Sequence, residues 1–195
     1  MLFADFPVIV RGGGDLGTGV VYRLFKAGFP VIVLELEHPL VVRRRVALAT
    51  AVLEGEINIE DVTGRLAQDL PEALAMFEQD IIPVLVQSSL EPLLEAMPGE
   101  PMAVVDARLA KRNIDTRLDQ APLVIGLGPG FVAGQDCHAV VETMRGHTLG
   151  RVLWQGSALP NTGTPGIVAG KGKERVLRAP DAGVVSWSAA IGGRV

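Results

Sequence analysis

The chain of 195 residues contains a single cysteine, Cys137. One thiol excludes an intrachain disulfide framework and any metal site built from cysteine alone. Aromatic residues make up only 5%, and 18 basic residues against 22 acidic ones leave a net charge of -4. Few stacking side chains and no basic excess exclude a general nucleic-acid-binding function.

Long apolar runs are also lacking. The run PVIVLELEHPLVV is interrupted by Glu35, Glu37 and His38, well short of the roughly 20 apolar residues that span a bilayer. The N-terminus carries Asp5 and lacks a basic stretch followed by an apolar one, as a secretory signal would have. We therefore predict a soluble, cytoplasmic protein with no membrane partner.

The chain does have enough apolar residues for a core and a regular alternation of strand and helix patterns. Hydrophobic residues make up 48%, as in ordinary globular domains. The β-branched runs at 7–10 and 30–36 flank a segment with helical spacing, and further apolar runs occupy 81–86 and 102–105. Such continuous apolar strands belong in a sheet covered on both faces. We predict an α/β, Rossmann-like, doubly wound parallel sheet.

The chain changes character near Ala121, because nine of the 23 glycines precede it and fourteen follow it. Before Ala121, helical spacing predicts, among others, a helix over 42–53. After Ala121 helical spacing fades, and short apolar runs alternate with Gly and Pro turns. We predict a Rossmann-like nucleotide- or cofactor-binding part at 1–120 and a smaller, Gly-rich, β-rich part at 121–195.

The sharpest motif is RGGGDLGTG, in which Gly12, Gly14 and Gly17 form G-x-G-x-x-G between a predicted strand and a helix. In this pattern the glycines permit a tight turn, phosphate approach and close helix packing. Glu35 lies near the end of the next strand, where an acid usually binds a ribose hydroxyl. The motif predicts phosphorylated-ligand binding, and a purely structural turn is the alternative.

Charged residues near this loop leave two interpretations open. Asp15 would repel a pyrophosphate, yet it is well placed to cap the helix. Arg43, Arg44 and Arg45 are the one basic cluster in the sequence. Arg43 is our candidate for an anionic ligand group, while a solvated helix face is the alternative for at least one of the three.

Two further groups of residues follow predicted strands. Asp106 and Arg108 lie at the edge where ligands of doubly wound sheets bind, although they can instead pair with each other. The turn GLGPGF places Gly128 and Gly130 after another strand, as an anion-binding nest or a plain loop. Cys137 adjoins Asp136 and His138 and can hold a reactive thiol, but adjacent side chains on a strand point to opposite faces, so we predict an inert cysteine. His147 has no second ligand at metal spacing, and we predict no metal site.

Several motifs in order resemble the YqeB family of selenium-dependent molybdenum hydroxylase accessory proteins. They are RGGGDLGTGVVYRLFKAGFPV, LEHPLVVRRRVAL, VVDARLAK, VIGLGPGF, VVETMRGHTLGRV and NTGTPG. A more distant similarity is to the Rossmann domain of XdhC-type maturation factors, which carry an acid where this chain has Glu35. The closing stretch RAPDAGVVSWSAAIGGRV resembles the start of a biotinyl/lipoyl-type β-sandwich. Because family members extend further, the resemblance implies that the chain is a fragment.

The resemblance implies an accessory protein that binds a phosphorylated cofactor and has a molybdenum hydroxylase as its partner. The candidate cofactors are molybdenum cofactor, as a pterin dinucleotide, and NAD(P). An NAD(P)-dependent oxidoreductase is the alternative function, and a non-enzymatic docking scaffold for a hydroxylase subunit is the second. The sequence leaves open whether any reaction is catalysed.

Overall fold

Strands and helices alternate along the chain in the computed structural model, which describes residues 1–183 and 185. The strands are β1 (Val8–Arg11), β2 (Val31–Glu35), β3 (Glu56–Ile59), β4 (Val62–Ala67), β5 (Ile81–Val86), β6 (Ala103–Asp106), β7 (Leu123–Leu127), β8 (Ala139–Val141) and β9 (Val152–Leu153). The α-helices are α1 (Asp15–Lys26), α2 (Thr50–Glu54), α3 (Leu70–Met76) and α4 (Glu91–Ala96).

All of these strands join one sheet in the order β3-β4-β5-β2-β1-β6-β7-β8-β9. Strands β4 to β8 and the central pair β1 and β2 run parallel, whereas β3 and β9 pair antiparallel to their neighbours at the two edges. The chain moves from β1 to one side and later returns to the other side through β6. The predicted α/β, Rossmann-like fold is confirmed, with β1 and β2 as neighbouring central strands.

Apolar side chains cover the sheet on both faces, which explains why its central strands are continuously apolar. On one face, Val21 of α1 and Ala51 of α2 pack against Val8, Val10 and Val33. On the other face, Ala73 of α3 and Leu93 of α4 pack in one cluster with Ile9 of β1. The sheet is therefore doubly wound, as predicted.

The predicted helix over 42–53 is wrong in its first half. The structure has a 3₁₀ turn at Arg44–Val46 and then α2. Between them, Leu48 N–H donates to Thr18 Oγ1 at 2.9 Å and Ala49 N–H donates to the Gly13 carbonyl at 2.9 Å. These backbone amides bind the glycine loop instead of forming helical bonds, so one continuous helix cannot form.

Residues on both sides of Ala121 contribute to the sheet, because β7, β8 and β9 continue it beyond β6. The chain divides into two units, Met1–Asn161 and Thr162–Val195. The second unit contains a β-bridge between Val168 and Lys171 and a 3₁₀ turn at Lys173–Arg175. The predicted lipoyl-like start falls largely on 184 and 186–195, outside the described residues.

Candidate functional site

A cavity of about 700 Å³ lies at the carboxyl ends of the central parallel strands. This is the topological switch point between β1 and β6, where open α/β sheets usually bind ligands. Of the residues selected from the sequence, six line the cavity: Gly12, Gly14, Asp15, Glu35, Arg43 and Arg108. The volume lies within the range of about 300–1,000 Å³ that is typical of small-molecule sites.

The glycine loop is built as the motif requires. Gly12 has φ of +99°, and a Cβ there would lie 2.9 Å from the Ala107 carbonyl oxygen. Gly14 is the N-cap of α1, and a Cβ on it would meet nothing within 4 Å. A Cβ on Gly17 would overlap the Gly12 carbonyl oxygen, so this glycine brings the helix against the loop. Gly14 is thus the glycine that faces open space in the cavity.

Glu35 lies at the end of β2 and is bound to the backbone around it. Its Oε2 accepts from Gly13 N–H and its Oε1 accepts from Leu36 N–H, both at 2.8 Å. The carboxylate therefore holds the glycine loop to the second strand. A ligand hydroxyl at this place would share an acceptor that already has a backbone donor.

Asp15 is not the cap of α1, because Gly14 occupies that position and Asp15 is the first helical residue. Its Oδ2 accepts from Arg43 Nη1 at 2.6 Å. A negative charge in the first helical turn is favourable for the helix dipole. The ion pair places one cation and one anion together at the rim of the cavity, near the helix N-terminus.

The inner end of the cavity holds a network of charges that the sequence analysis did not select as a unit. Arg11, which is 2% exposed, donates through Nη1 and Nη2 to the two carboxylate oxygens of Asp115 at 2.7 and 2.8 Å. Arg108 donates through Nη2 to the same carboxylate at 2.6 Å and through Nε and Nη2 to Asp106. Thr116 Oγ1 donates to Asp106 Oδ2 at 2.6 Å.

This network determines the charge state of Asp115. Partial burial would raise the pKa of the Asp115 carboxyl, but hydrogen bonds from Arg11 and Arg108 outweigh burial and lower the pKa to about 2. For Arg108, burial would lower the pKa, yet the neighbouring Asp106 and Asp115 raise it. Asp115 is therefore a carboxylate and Arg108 a cation at neutral pH.

Beside the Asp15–Arg43 ion pair, apolar side chains line the mouth of the cavity. Leu40 and Val42 are 90% and 95% exposed. The cavity is also lined by Leu36, Val41 and Ile114. Such a mouth suits a flat or apolar ligand group, while the inner end suits a charged one.

The remaining candidates are not among the residues that line this cavity: Gly17, Asp106, Gly128 and Gly130. Asp106 is 1% exposed and lies beneath Arg108. A Cβ on Gly128 would lie 2.6 Å from Thr143 Oγ1, and one on Gly130 would overlap the Arg112 backbone. These two glycines let neighbouring chain segments approach closely, and their role in anion binding stays a prediction.

The described residues, 1–183 and 185, contain no group of three or more His, Cys, Asp or Glu side chains arranged to hold a metal ion. They also contain no helix that combines the length and apolar character needed to cross a bilayer. Cys137 is buried, and burial raises the pKa of its thiol.

Fold and cavity together define a Rossmann-like α/β protein with a ligand-sized cavity at the switch point of its sheet. Over 188 residues, 96% of this chain, it is 50% identical to "Uncharacterized protein YqeB" of Escherichia coli (strain K12). The match supports membership of the YqeB family, to which the sequence motifs pointed. The chain spans 34% of that relative's length. No family model and no solved structure matches the chain.

Proposed function

We propose that the protein is an accessory factor for the maturation of a molybdenum hydroxylase, selenium-dependent by resemblance, and binds a phosphorylated cofactor such as a pterin dinucleotide. The ligand lies in the switch-point cavity, with its phosphates at the loop of Gly12, Gly14 and Gly17. The hydroxylase part of this proposal rests on the sequence motifs. The homologous relative supports the family and adds nothing on the reaction.

The observation that carries the binding proposal is the glycine loop opening into the cavity. Gly14 leaves open space where a side chain would stand. It is followed directly by α1, whose first N–H groups have no acceptor within the helix. Backbone amides, an approachable loop and the helix dipole together favour a phosphate group.

The two ends of the cavity support a ligand that is charged at one end and flat at the other. The apolar mouth around Leu40 and Val42 can cover a heterocyclic ring. Arg43 places a cation beside the first turn of α1, since it pairs with Asp15. A dinucleotide has both kinds of group, and a pterin dinucleotide is the one that fits the accessory role.

An NAD(P)-dependent oxidoreductase is the second candidate, and the position of Glu35 at the end of β2 favours it. Both carboxylate oxygens of Glu35 already accept backbone N–H groups. A nicotinamide dinucleotide would therefore share this acid with the loop. The oxidoreductase is the weaker candidate because the sequence has no obvious Tyr/Lys or His/Asp pair for proton transfer.

Gly14→Val is expected to abolish binding while the protein stays folded. Its backbone angles, φ -64° and ψ 177°, suit an L residue, and the added side chain would occupy the phosphate position. Binding is first sought by thermal shift with NAD, NADP, FAD, CDP, CTP and molybdenum cofactor, because a ligand of the folded state raises its stability. Native mass spectrometry then confirms each hit.

Gly19→Val is the matched control. Gly19 lies in the same helix, and a Cβ there meets nothing within 4 Å. It should bind each confirmed ligand as the unmodified chain does. Equal binding by Gly14→Val and Gly19→Val would show that the glycine loop is a structural turn, and the binding proposal would fail.

Asp15→Asn separates the two candidate functions. If Asp15 holds Arg43 in position for a pterin dinucleotide, loss of the charge should weaken binding about threefold to tenfold, as for loss of one exposed charge-assisted hydrogen bond. If the loop holds a simple pyrophosphate, removal of the negative charge should tighten binding. Isothermal titration decides between them, with Asp61→Asn, which removes an exposed carboxylate paired with Lys26, as control.

A further inference from the structure

The inner end of the cavity contains an anion-binding arrangement whose anion belongs to the protein itself. Asp115 lies between two guanidinium groups, with three charge-assisted hydrogen bonds of 2.6 to 2.8 Å. Bidentate guanidinium contacts of this geometry are those that proteins use for phosphate and carboxylate groups of ligands.

The two cations are fixed by the sheet, whereas the anion is not. Arg11 is the last residue of β1, and Arg108 follows β6, the strand paired with β1. Asp115 lies seven residues beyond Arg108, in a segment without regular secondary structure. Its side chain is 30% exposed, against 2% for that of Arg11. The carboxylate is thus the part of the arrangement that can leave.

The segment between Arg108 and Asp115 has an unusual backbone. Leu109 and Lys111 have φ of 54° and 62°. Left-handed backbone angles are unfavourable for residues other than glycine and persist where surrounding contacts hold them. The bonds from Asp115 to the two arginines are among the contacts of this segment, beside the packing of Leu109 against the core.

We propose that Arg11 and Arg108 form an oxyanion subsite, which Asp115 fills in the free protein and which a phosphate or carboxylate group of the ligand takes over. Asp106 stays in place during this exchange, because it is buried and bound to both Arg108 and Thr116. Arg108 therefore keeps its orientation when Asp115 withdraws. This proposal rests on the proposed function, because it requires a ligand with a second anionic group besides the phosphates at the glycine loop.

Asp115→Asn tests the subsite with simple probes. The variant keeps the size of the side chain and removes its charge, so both guanidinium groups become available to a dissolved anion. Isothermal titration at low salt with inorganic phosphate, and separately with malonate, should show binding at least about tenfold tighter than in the unmodified chain. The two titrations distinguish a phosphate group from a carboxylate group.

Asp119→Asn is the control, since Asp119 belongs to the same stretch of chain but is 76% exposed and pairs with Arg117. It should bind both probes no better than the unmodified chain. If Asp115→Asn behaves like Asp119→Asn, the subsite proposal is overturned. This outcome leaves dinucleotide binding intact, whereas a gain in phosphate binding without any dinucleotide hit would support the subsite and remove the proposed function.

A second measurement uses the unmodified chain and covers the case in which Asp115→Asn does not fold. Hydrogen–deuterium exchange of residues 109–117 is followed with and without saturating pyrophosphate. Displacement of Asp115 should speed exchange in this segment, because the segment loses its bonds to Arg11 and Arg108. Unchanged or slower exchange at saturation would contradict the proposal.

Discussion

Gly17→Ala is expected to lower the free energy of unfolding by about 3 kcal/mol, the upper range for an overpacked site. The added methyl group would overlap the carbonyl oxygen of Gly12 and approach Ala107. A backbone oxygen cannot turn away as a side chain can, so α1 would have to move from the glycine loop. Urea unfolding of the variant and the unmodified chain measures the loss.

Gly19→Ala provides the comparison within the same helix. Its Cβ would stand in open space, and alanine has a helix propensity about 1 kcal/mol better than that of glycine. This variant should therefore be slightly more stable than the unmodified chain. A Gly17→Ala protein with the stability of Gly19→Ala would contradict the close packing of helix and loop.

Arg11→Met is expected to cost about 2 kcal/mol of unfolding free energy, because Asp115, which is 30% exposed and keeps Arg108, loses the buried one of its two guanidinium partners. Arg11 has 2% of its side chain exposed and donates two hydrogen bonds to Asp115. Methionine keeps an unbranched side chain and so limits the loss of packing. Urea unfolding again gives the difference.

Arg117→Met removes an arginine that also pairs with carboxylates but is 54% exposed. Exposed ion pairs contribute little to stability, so this variant should lose much less stability than Arg11→Met. Similar losses in the two variants would mean that burial does not strengthen the Arg11 pair.

The central strands can be predicted from the sequence because burial on both faces requires continuous apolar runs. The strand at 81–86 is predicted with the bounds that the structure gives for β5. The hairpin of β3 and β4 escapes this reasoning, since Glu56 and Asn58 are exposed and interrupt the pattern. Gly64 in β4 also reads as a strand breaker, yet it makes room for the Leu48 side chain.

Sequence reasoning finds the glycine loop, Asp106 and Arg108, but it misses the contact between Arg11 and Asp115. Gly12, Gly14 and Glu35 belong to a local motif with fixed spacing, so they can be selected without a structure. Arg11 and Asp115 are 104 residues apart, and their contact depends on the placement of β1 beside β6. One feature of the sequence could have indicated this contact: Arg11 ends an apolar strand, and a buried cation requires an anion as its partner.

The two edges of the sheet limit how copies of this chain can associate. An edge strand presents unpaired N–H and C=O groups to which a strand of another molecule can add, and long flat edges promote aggregation in this way. At one edge β9 consists of two residues, and at the other β3 consists of four, with Glu56 and Asn58 exposed. The fold thus offers poor templates for fibril-like growth, although its interior strands are continuously apolar.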